Sequence, residues 1–222
     1  QENEGAIVQP YADLHFRLYK GAGTLTSVSA DIGIWESFHS QTENSLSGNC
    51  RHWYESDFRA GLTFGLQKFT FTPNFIVRQS PGDYFNTNYA VGLRLGYDDK
   101  ELLGAFALHP YVYVELEVEK SAGNGSGLVN GVFQQEKGQY YEIGITPDTG
   151  TRFGDLNIAL PIRAGFGSND YYWDNDAFGY FSVGLTATYA LRYVPECLGK
   201  WSLHGGFTYY RLGSGATTGV NA

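Results

Sequence analysis

Long apolar runs, positive charge and cysteine are all scarce in this chain, and each scarcity excludes something. No run of 18 consecutive apolar residues occurs among the 222 residues, so we predict no transmembrane helix. Lys and Arg number 15 against 23 Asp and Glu, and the net charge of −8 argues against a nucleic-acid partner, because phosphate binding needs a basic surface. The two cysteines, Cys50 and Cys197, show no metal-ligand spacing; one disulfide and two unpaired or intermolecular thiols both remain open.

Charged residues and methionine are scarce as well. Charged residues make up 17% of the chain, below the roughly 25% of an average soluble domain. There is no Met, so we expect a cleaved secretory segment before Gln1. Gly (29 residues), Tyr (17) and Phe (15) are abundant instead, which is typical of a strand-rich protein.

Apolar and polar residues alternate along ten segments, which predicts ten β-strands. The segments are 11–19, 24–38, 53–67, 69–78, 88–97, 105–120, 139–146, 155–166, 178–192 and 201–211. Short and long connections alternate between them, as in an up-and-down outer-membrane barrel. We therefore predict an all-β, antiparallel transmembrane β-barrel of about ten strands (8–12). Residues 1–222 form a single domain in this prediction, with an N-terminal extension at 1–10 and a C-terminal tail at 213–222.

The segment "YVYVELEVEK" (111–120) shows why the orientation of the sheet matters. Val112, Val114 and Leu116 lie on one face, and Tyr113 and Glu115 lie on the other. A soluble β-protein would bury the aliphatic face, whereas a membrane barrel would turn it toward lipid. We predict the membrane arrangement, because Tyr and Trp cluster near the strand ends as in the aromatic girdles of membrane barrels.

Acids and arginines occupy the polar faces in nearly equal numbers, whereas lysines lie at strand ends and in connections. Arg favours semi-buried, bidentate pairing with carboxylates, and Lys favours solvation. The pattern predicts an ion-pair network inside the barrel. Its predicted members are Asp13, Arg17, Asp31, Glu55, Asp57, Arg59, Arg78, Arg94, Glu115, Glu117, Glu142, Arg163 and Arg192.

Several segments resemble a loose group of uncharacterised porin-like outer-membrane β-barrel proteins of Gram-negative bacteria. The resemblance covers most of residues 53–212 and is a matter of strand texture. It is carried by "HPYVYVELE", "GQYYEIGITP", "FGDLNIALPIRAGFG", "DAFGYFSVGLTATYAL" and "WSLHGGFTYYRLG". It implies the barrel fold and a location in the bacterial outer membrane, and it transfers no functional residue.

The leading functional prediction is an integral outer-membrane barrel whose lumen is largely plugged by paired charges. Such a protein would be structural or adhesive, or a narrow passive channel, because ten strands enclose a space that side chains can largely fill. The alternatives are a small-solute porin and a soluble lipocalin-like binding protein. The expected partners are the lipid bilayer and, through the long loops, a second copy or a cell-surface molecule; no cofactor is expected.

Three groups of residues suggest other chemistry. His15, His204 and Ser202 would be neighbours in a closed barrel, so a lipid esterase is conceivable, although satisfied interior histidines are the simpler interpretation. Glu115 and Glu117 share a face and could act as paired carboxylates, but nearby arginines are the simpler explanation. A loop ligand site is conceivable at Asp170, Asp174 and Asp176, although their spacing matches no specific calcium loop, and we predict no metal site.

Overall fold

A computed structural model describes residues 6–40, 52–83, 86–118, 128–129, 132–133, 138–168, 171, 177–195 and 199–213. Its strands are β1 (Ile7–Val8), β2 (Tyr11–Lys20), β3 (Leu25–His39), β4 (Trp53–Leu66), β5 (Phe69–Gln79), β6 (Asn88–Tyr97), β7 (Tyr111–Glu117), β8 (Leu128–Val129), β9 (Val132–Phe133), β10 (Gln139–Ile145), β11 (Asp148–Phe153), β12 (Leu156–Ala159), β13 (Ile162–Ser168), β14 (Phe178–Ala190) and β15 (Ser202–Leu212). A short helix, α1 (Lys100–Leu103), and a 3₁₀ turn (Gly104–Phe106) lie between β6 and β7.

Thirteen of these strands form one antiparallel sheet, and β8 and β9 form a separate ladder. Strands β1 and β2 both pair with β3, strands β12 and β13 both pair with β14, and the β10–β11 run pairs with the β12–β13 run. Three pairs of consecutive strands therefore each form one long strand of the sheet that a bulge or a proline interrupts: β1 and β2, β10 and β11, and β12 and β13. With each of these pairs counted as one strand, the described residues form a meander of ten strands, so the predicted all-β antiparallel order is confirmed.

Strict alternation located most strands within two residues of their ends, and three differences have physical reasons. The sixth strand begins at Tyr111 rather than near Ala105, because residues 99–109 fold into α1 and the 3₁₀ turn. Ile7 and Val8, expected in the N-terminal extension, pair with β3 as β1. The turn expected after 146 continues instead as β11, a hairpin with β12 that turns at Gly154 (φ +63°).

The exposure of the two faces is the reverse of a soluble sheet. Val112 and Leu116 on β7 are 45% and 43% exposed, whereas Glu115 between them is 2% exposed. Other strands repeat the pattern, with Leu185 exposed and Ser182 buried on β14. The apolar face is thus the convex, outward face, and the polar face lines the concave side of the sheet.

The sheet curls until its first and last strands come close, although no ladder joins them. The rings of Tyr11 on β2 and His204 on β15 lie 5.9 Å apart. Following the ladder partners around the sheet from Lys20, at the end of β2, leads to Tyr210, near the end of β15. Tyr11, at the start of β2, nevertheless contacts His204, near the start of β15. The two edge strands are therefore offset along their length relative to the ladder register. Such an offset is the shear that a curled sheet of tilted strands acquires.

Candidate functional site: the polar interior of the sheet

Arg78 on β5 is the centre of the first interior cluster. Its Nη1 lies 2.7 Å from Glu115 Oε1, and its Nη2 donates a 2.8 Å hydrogen bond to Glu115 Oε2. Its Nε also lies 3.8 Å from Asp57 Oδ2 on β4, and both Arg78 and Asp57 are largely buried. The charge-assisted hydrogen bond from Nη2 stabilises the pair away from water, and the short Nη1–Oε1 contact adds attraction between the charges without hydrogen-bond geometry. This cluster ties β4, β5 and β7 together across the concave face.

Glu142 on β10 is the centre of the second cluster, which consists mainly of phenols. Tyr111 donates a 2.5 Å hydrogen bond to Oε1, and Tyr140 donates a 2.7 Å bond to Oε2. Tyr180 also donates to Oε2. Three hydroxyl donors solvate the carboxylate where water would otherwise do so. The Arg94 guanidinium carbon lies 3.6 Å from the centre of the Tyr111 ring, a cation–π contact that adds positive charge beside the carboxylate.

The tyrosine rings fill the space between the two clusters. The ring centroids of Tyr113 and Tyr140 are 6.1 Å apart, and those of Tyr140 and Tyr171 are 5.4 Å apart. Tyr113 also donates a 2.9 Å hydrogen bond to Glu115, which links the phenols to the Arg78 pair. Tyr180 continues the series toward β15, with its ring 5.5 Å from that of Tyr210. The rings therefore obstruct the concave side along β7, β10 and β14.

Two glycines make room for these rings. A Cβ at Gly144 would lie 2.5 Å from ring atoms of Tyr111, the residue opposite it in the β7–β10 ladder. A Cβ at Gly165 would likewise collide with the ring of Tyr180, its ladder partner on β14. Each tyrosine lies flat over the glycine of the neighbouring strand, as glycine kinks in curved sheets allow.

The concave face is more open to water around Asp13 and His15 of β2 and the residues of β3 and β4 that pair with them. Arg59 Nη2 lies 3.2 Å from Asp13 Oδ1, and these side chains are 44% and 54% exposed. His15 Nδ1 lies 2.5 Å from Asp31 Oδ1, and Thr63 donates a 2.8 Å hydrogen bond to Asp31 Oδ2. The interior thus has a packed half and a solvated half.

Of the remaining predicted network members, four lie on the polar faces of strands, and the fifth, Arg192, lies outside them. Glu117 accepts hydrogen bonds from Asn88 (2.5 Å) and from the Gly138 amide (2.8 Å). Glu55 shares its face of β4 with Asp57, and Arg163 faces Gly144 across the β10–β13 ladder. Arg17 lies on the exposed strand β2 and forms no ion pair within the described residues.

Arg192 is a correction to the predicted network. Strand β14 ends at Ala190, so Arg192 lies in the connection to β15 rather than on the concave face. Its exposed side chain pairs there with Asp155, in the turn between β11 and β12. The apolar–polar alternation continues for two residues past the strand in the sequence, which is why the prediction included it.

The histidine pair expected at the junction of the first and last strands is arranged differently. Tyr11, rather than His15, contacts His204, while His15 is held by Asp31. Ser202 Oγ lies 2.9 Å from His204 Nε2, and His204 Nδ1 lies 2.9 Å from Thr188 Oγ1. A hydroxyl rather than a carboxylate therefore orients His204, which removes the charge that stabilises an imidazolium in hydrolase triads.

The remaining candidate sites are the Glu115–Glu117 pair, the loop acids and the cysteines. Glu115 is engaged by Arg78 and Tyr113, so the Glu115–Glu117 pair is not a free acid–base pair. The conceivable loop site at Asp170, Asp174 and Asp176 and the cysteines Cys50 and Cys197 lie outside the described residues.

Asp98, Asp99 and His109, at the end of β6 and before β7, present ligand atoms within 4.8 Å of one another. The carboxylate of Asp99 is already used, because it accepts hydrogen bonds from the backbone amides of Leu108 (3.0 Å) and His109 (2.9 Å). Burial opposes the charged form of Asp99, but these amides outweigh it and hold the pKa of Asp99 below its usual value. The Asp99 carboxylate therefore anchors the loop between β6 and β7.

The tyrosines of the concave face are the residues that sequence reasoning missed. Tyr113 and Tyr140 each lie two residues from an acid of the predicted network, Glu115 and Glu142, and so on the same face of the same strand. That spacing was the available signal. Alternation places Tyr113 and Tyr140 on polar faces but gives them no role in the ion-pair network, and Tyr171 is one of the tyrosines expected in an interfacial girdle.

No family model, no curated protein and no solved structure matches this chain. No helix within the described ranges is long and apolar enough to cross a membrane.

Proposed function

We propose that this chain is an integral β-barrel of the bacterial outer membrane, closed by pairing of β2 with β15, whose lumen is largely plugged. The reversed exposure of β7 carries the proposal, with Val112 and Leu116 outward and Glu115 shielded inside. An apolar band that faces water would cost about 25 cal/mol for each Å² it exposes, whereas the same band in lipid has no such cost. A soluble lipocalin-like binder predicts the opposite exposure.

The proximity of Tyr11 and His204 supports closure of the barrel. Strands β2 and β15 run antiparallel, and within the described part of the chain each has one edge without a ladder partner. Unpaired backbone groups cost several kcal/mol each in a bilayer, so both edges would gain from pairing there. The stagger between the two strands is the kind that barrel closure requires.

The packed interior supports a structural or adhesive role rather than a wide pore. Arg78, Glu115, Glu142 and the rings of Tyr111 and Tyr140 occupy the concave side of the central strands. A conducting pore of the porin type needs a continuous water-filled lumen, which this packing opposes.

A narrow passive channel is the second candidate, and one observation favours it. The Asp13–Arg59 and His15–Asp31 pairs remain solvated on the β2–β4 side of the interior. A thin aqueous passage beside these pairs would carry small ions at most. Planar-bilayer conductance separates the candidates: a sealed plug gives no steady current, and a narrow channel gives a small one.

The test of the barrel itself is membrane fractionation together with gel mobility. We expect the chain to sediment with membranes, to require detergent for extraction, and to change its mobility on boiling in SDS. Recovery in the soluble fraction without detergent, with one mobility before and after boiling, would contradict the proposal.

A further inference from the structure

The connection between β6 and β7, residues 98–110, exposes an unusual amount of apolar surface. Leu102 and Phe106 are 69% and 81% exposed, and Leu103 is exposed as well. Three large apolar side chains thus lie outward within a segment that consists of α1 and the 3₁₀ turn. Single exposed apolar residues are ordinary on protein surfaces, but a cluster of this kind marks an interaction surface. We call this cluster the apolar foot.

The backbone of the apolar foot is held firmly. Leu102 and Leu103 donate 2.9 Å hydrogen bonds to the Asp99 carbonyl, while the Asp99 carboxylate accepts from the amides of Leu108 and His109. Asp99 therefore closes the loop from both ends, and the outward orientation of the apolar side chains is imposed by the backbone.

The neighbouring connections brace the same loop. The amide of Asp98 donates to the Lys68 carbonyl (2.7 Å), and Lys68 Nζ lies 2.6 Å from Glu101 Oε2. The hydrogen bond and charge of Glu101 raise the pKa of Lys68. On the other side, the amide of Thr146 donates to the Leu108 carbonyl (2.7 Å). The β4–β5 turn and the break between β10 and β11 thus both hydrogen-bond to this loop.

The apolar foot continues the outward apolar face of the sheet. Phe69 and Tyr97, at the ends of β5 and β6 next to the loop, have ring centroids 5.0 Å apart, and Phe69 is exposed. Lys68 lies in the β4–β5 turn and Lys100 at the start of α1, beside strand ends where ammonium groups would meet lipid phosphates. Aromatic rings followed by cations at a strand end are typical of a membrane–water interface.

We propose that the apolar foot inserts into the interfacial region of the bilayer and fixes the depth at which the sheet sits. This inference rests on the proposed barrel, since it requires strand ends at a membrane surface. Leu102, Leu103 and Phe106 enter the boundary between headgroups and acyl chains, and Lys68 and Lys100 contact the phosphates. The occupant is lipid rather than a protein partner, because the patch is continuous with the apolar band.

The test is the depth of a nitroxide label in the full chain reconstituted in phosphatidylcholine–phosphatidylglycerol vesicles. Labels are placed at Phe106→Cys, at Val112→Cys on the outward face of β7, and at Gly23→Cys in the β2–β3 turn, in a Cys50→Ser/Cys197→Ser background. Gly23 is the matched control, because a Cβ there meets no atom within 4 Å and its turn carries no large apolar side chain. Collision with oxygen and with a water-soluble nickel chelate reports depth.

We expect the Phe106 label to shift from the aqueous ratio of Gly23 toward the lipid ratio of Val112. A Phe106 label that matches Gly23 while Val112 is in lipid would overturn the foot and leave the barrel standing. A Phe106 label shielded from both reagents would indicate a protein contact and would also overturn it. An aqueous Val112 label would end the barrel proposal itself.

A second measurement avoids the cysteine substitutions. Phe106→Trp in the otherwise unchanged chain adds one indole to the four native tryptophans. We expect lipids brominated near the headgroup to quench the added fluorescence, as measured by difference from the parent protein. Failure of these lipids to quench it would overturn the foot.

Discussion

Arg78 and Glu115 form an ion pair across the intervening strand β6, with Nη1 2.7 Å from Oε1 and Nη2 donating a 2.8 Å hydrogen bond to Oε2. Neither residue is near the other in sequence, and the curvature of the sheet brings them together. Because Glu115 is almost completely shielded, the loss of Arg78 leaves a buried carboxylate whose charge is compensated only by the hydrogen bond from Tyr113.

We therefore predict that Arg78→Met lowers the free energy of unfolding by about 3 kcal/mol, since breaking a buried pair strands the remaining charge. Urea titration of the protein folded in detergent micelles gives the value. Arg59→Met is the matched control, because its pair with Asp13 is about half exposed and should be worth less than about 1 kcal/mol. Equal losses in the two variants would show that the Arg78 pair is solvated.

The second prediction concerns which face of β7 contacts lipid. Val112→Arg on the outward face of β7 should reduce membrane assembly, because an arginine facing lipid costs up to about 2–4 kcal/mol at the midplane and less toward the interface where β7 begins. Val112→Ala serves as the size control, and Glu117→Gln, on the opposite face of β7, should assemble nearly as well as the parent. The readout is the fraction of chain that shows the heat-modifiable gel shift. Normal assembly of Val112→Arg would contradict the proposed lipid-facing surface.

Adjacent tyrosines on β10 test the plug. Tyr140 bonds Glu142 on the concave face, whereas Tyr141 lies on the outward face. Tyr140→Ala should raise the single-molecule conductance in planar bilayers, because it removes a ring that contacts both Tyr113 and Tyr171. Tyr141→Ala removes the same volume outside and should leave conductance at the parent level. A similar current from both variants would mean that the phenols do not obstruct the lumen.

The alternation in the sequence was enough to predict the strands, because a period of two is imposed by backbone geometry alone. Strand β6 lies where it was predicted, at 88–97, and it lies among neighbours that share its pattern. Residues 105–110 also alternate, yet they are turned by the hydrogen bonds of Asp99 to Leu108 and His109. This loop conformation depends on tertiary hydrogen bonds rather than on periodicity, so the sequence pattern does not predict it.

The interior could be predicted in part for a similar reason. Arg78 and Glu115 were identifiable as inward charges, because each lies on the polar face of its own strand. Which acid meets which arginine depends on ladder register and shear, which the sequence does not display. Tyr180 reaches Glu142 from β14 across β13, and no spacing along the chain predicts that contact.

Gly165 gives the fourth prediction. Gly165→Ala should destabilise the fold by about 1–3 kcal/mol, since the added methyl group overpacks the ring of Tyr180. Gly23→Ala is the control, because a methyl group there meets no neighbour. The measurement is again urea unfolding, and in a Tyr180→Ala background the Gly165→Ala substitution should cost much less than it does in the parent. If Gly165→Ala matched Gly23→Ala, the close packing of ring on glycine would be refuted.

Asp99 gives a prediction about pH. Its pKa is lowered in the folded chain despite burial, because backbone amides stabilise the carboxylate. A lowered pKa means that the carboxylate contributes stability above the pKa of an unfolded Asp, about 3.9, and that this contribution is lost as pH falls through the lower folded value. Hydrogen exchange at Leu108 and His109, corrected for intrinsic rates, should therefore accelerate only in strongly acidic solution, below about pH 3.9.

Asp99→Asn supplies the control for that measurement. The amide keeps the size of the side chain and one acceptor oxygen but carries no charge, so it should weaken the Leu108 and His109 bonds at every pH. Protection of these two amides in Asp99→Asn should be lower than in the parent at neutral pH and should not change between pH 6 and the acid range. Because these bonds close the loop that contains Phe106, the Phe106 label in this variant should also become more mobile. An unchanged protection pattern would show that the loop is held by its other braces, Lys68 and Thr146, rather than by the carboxylate.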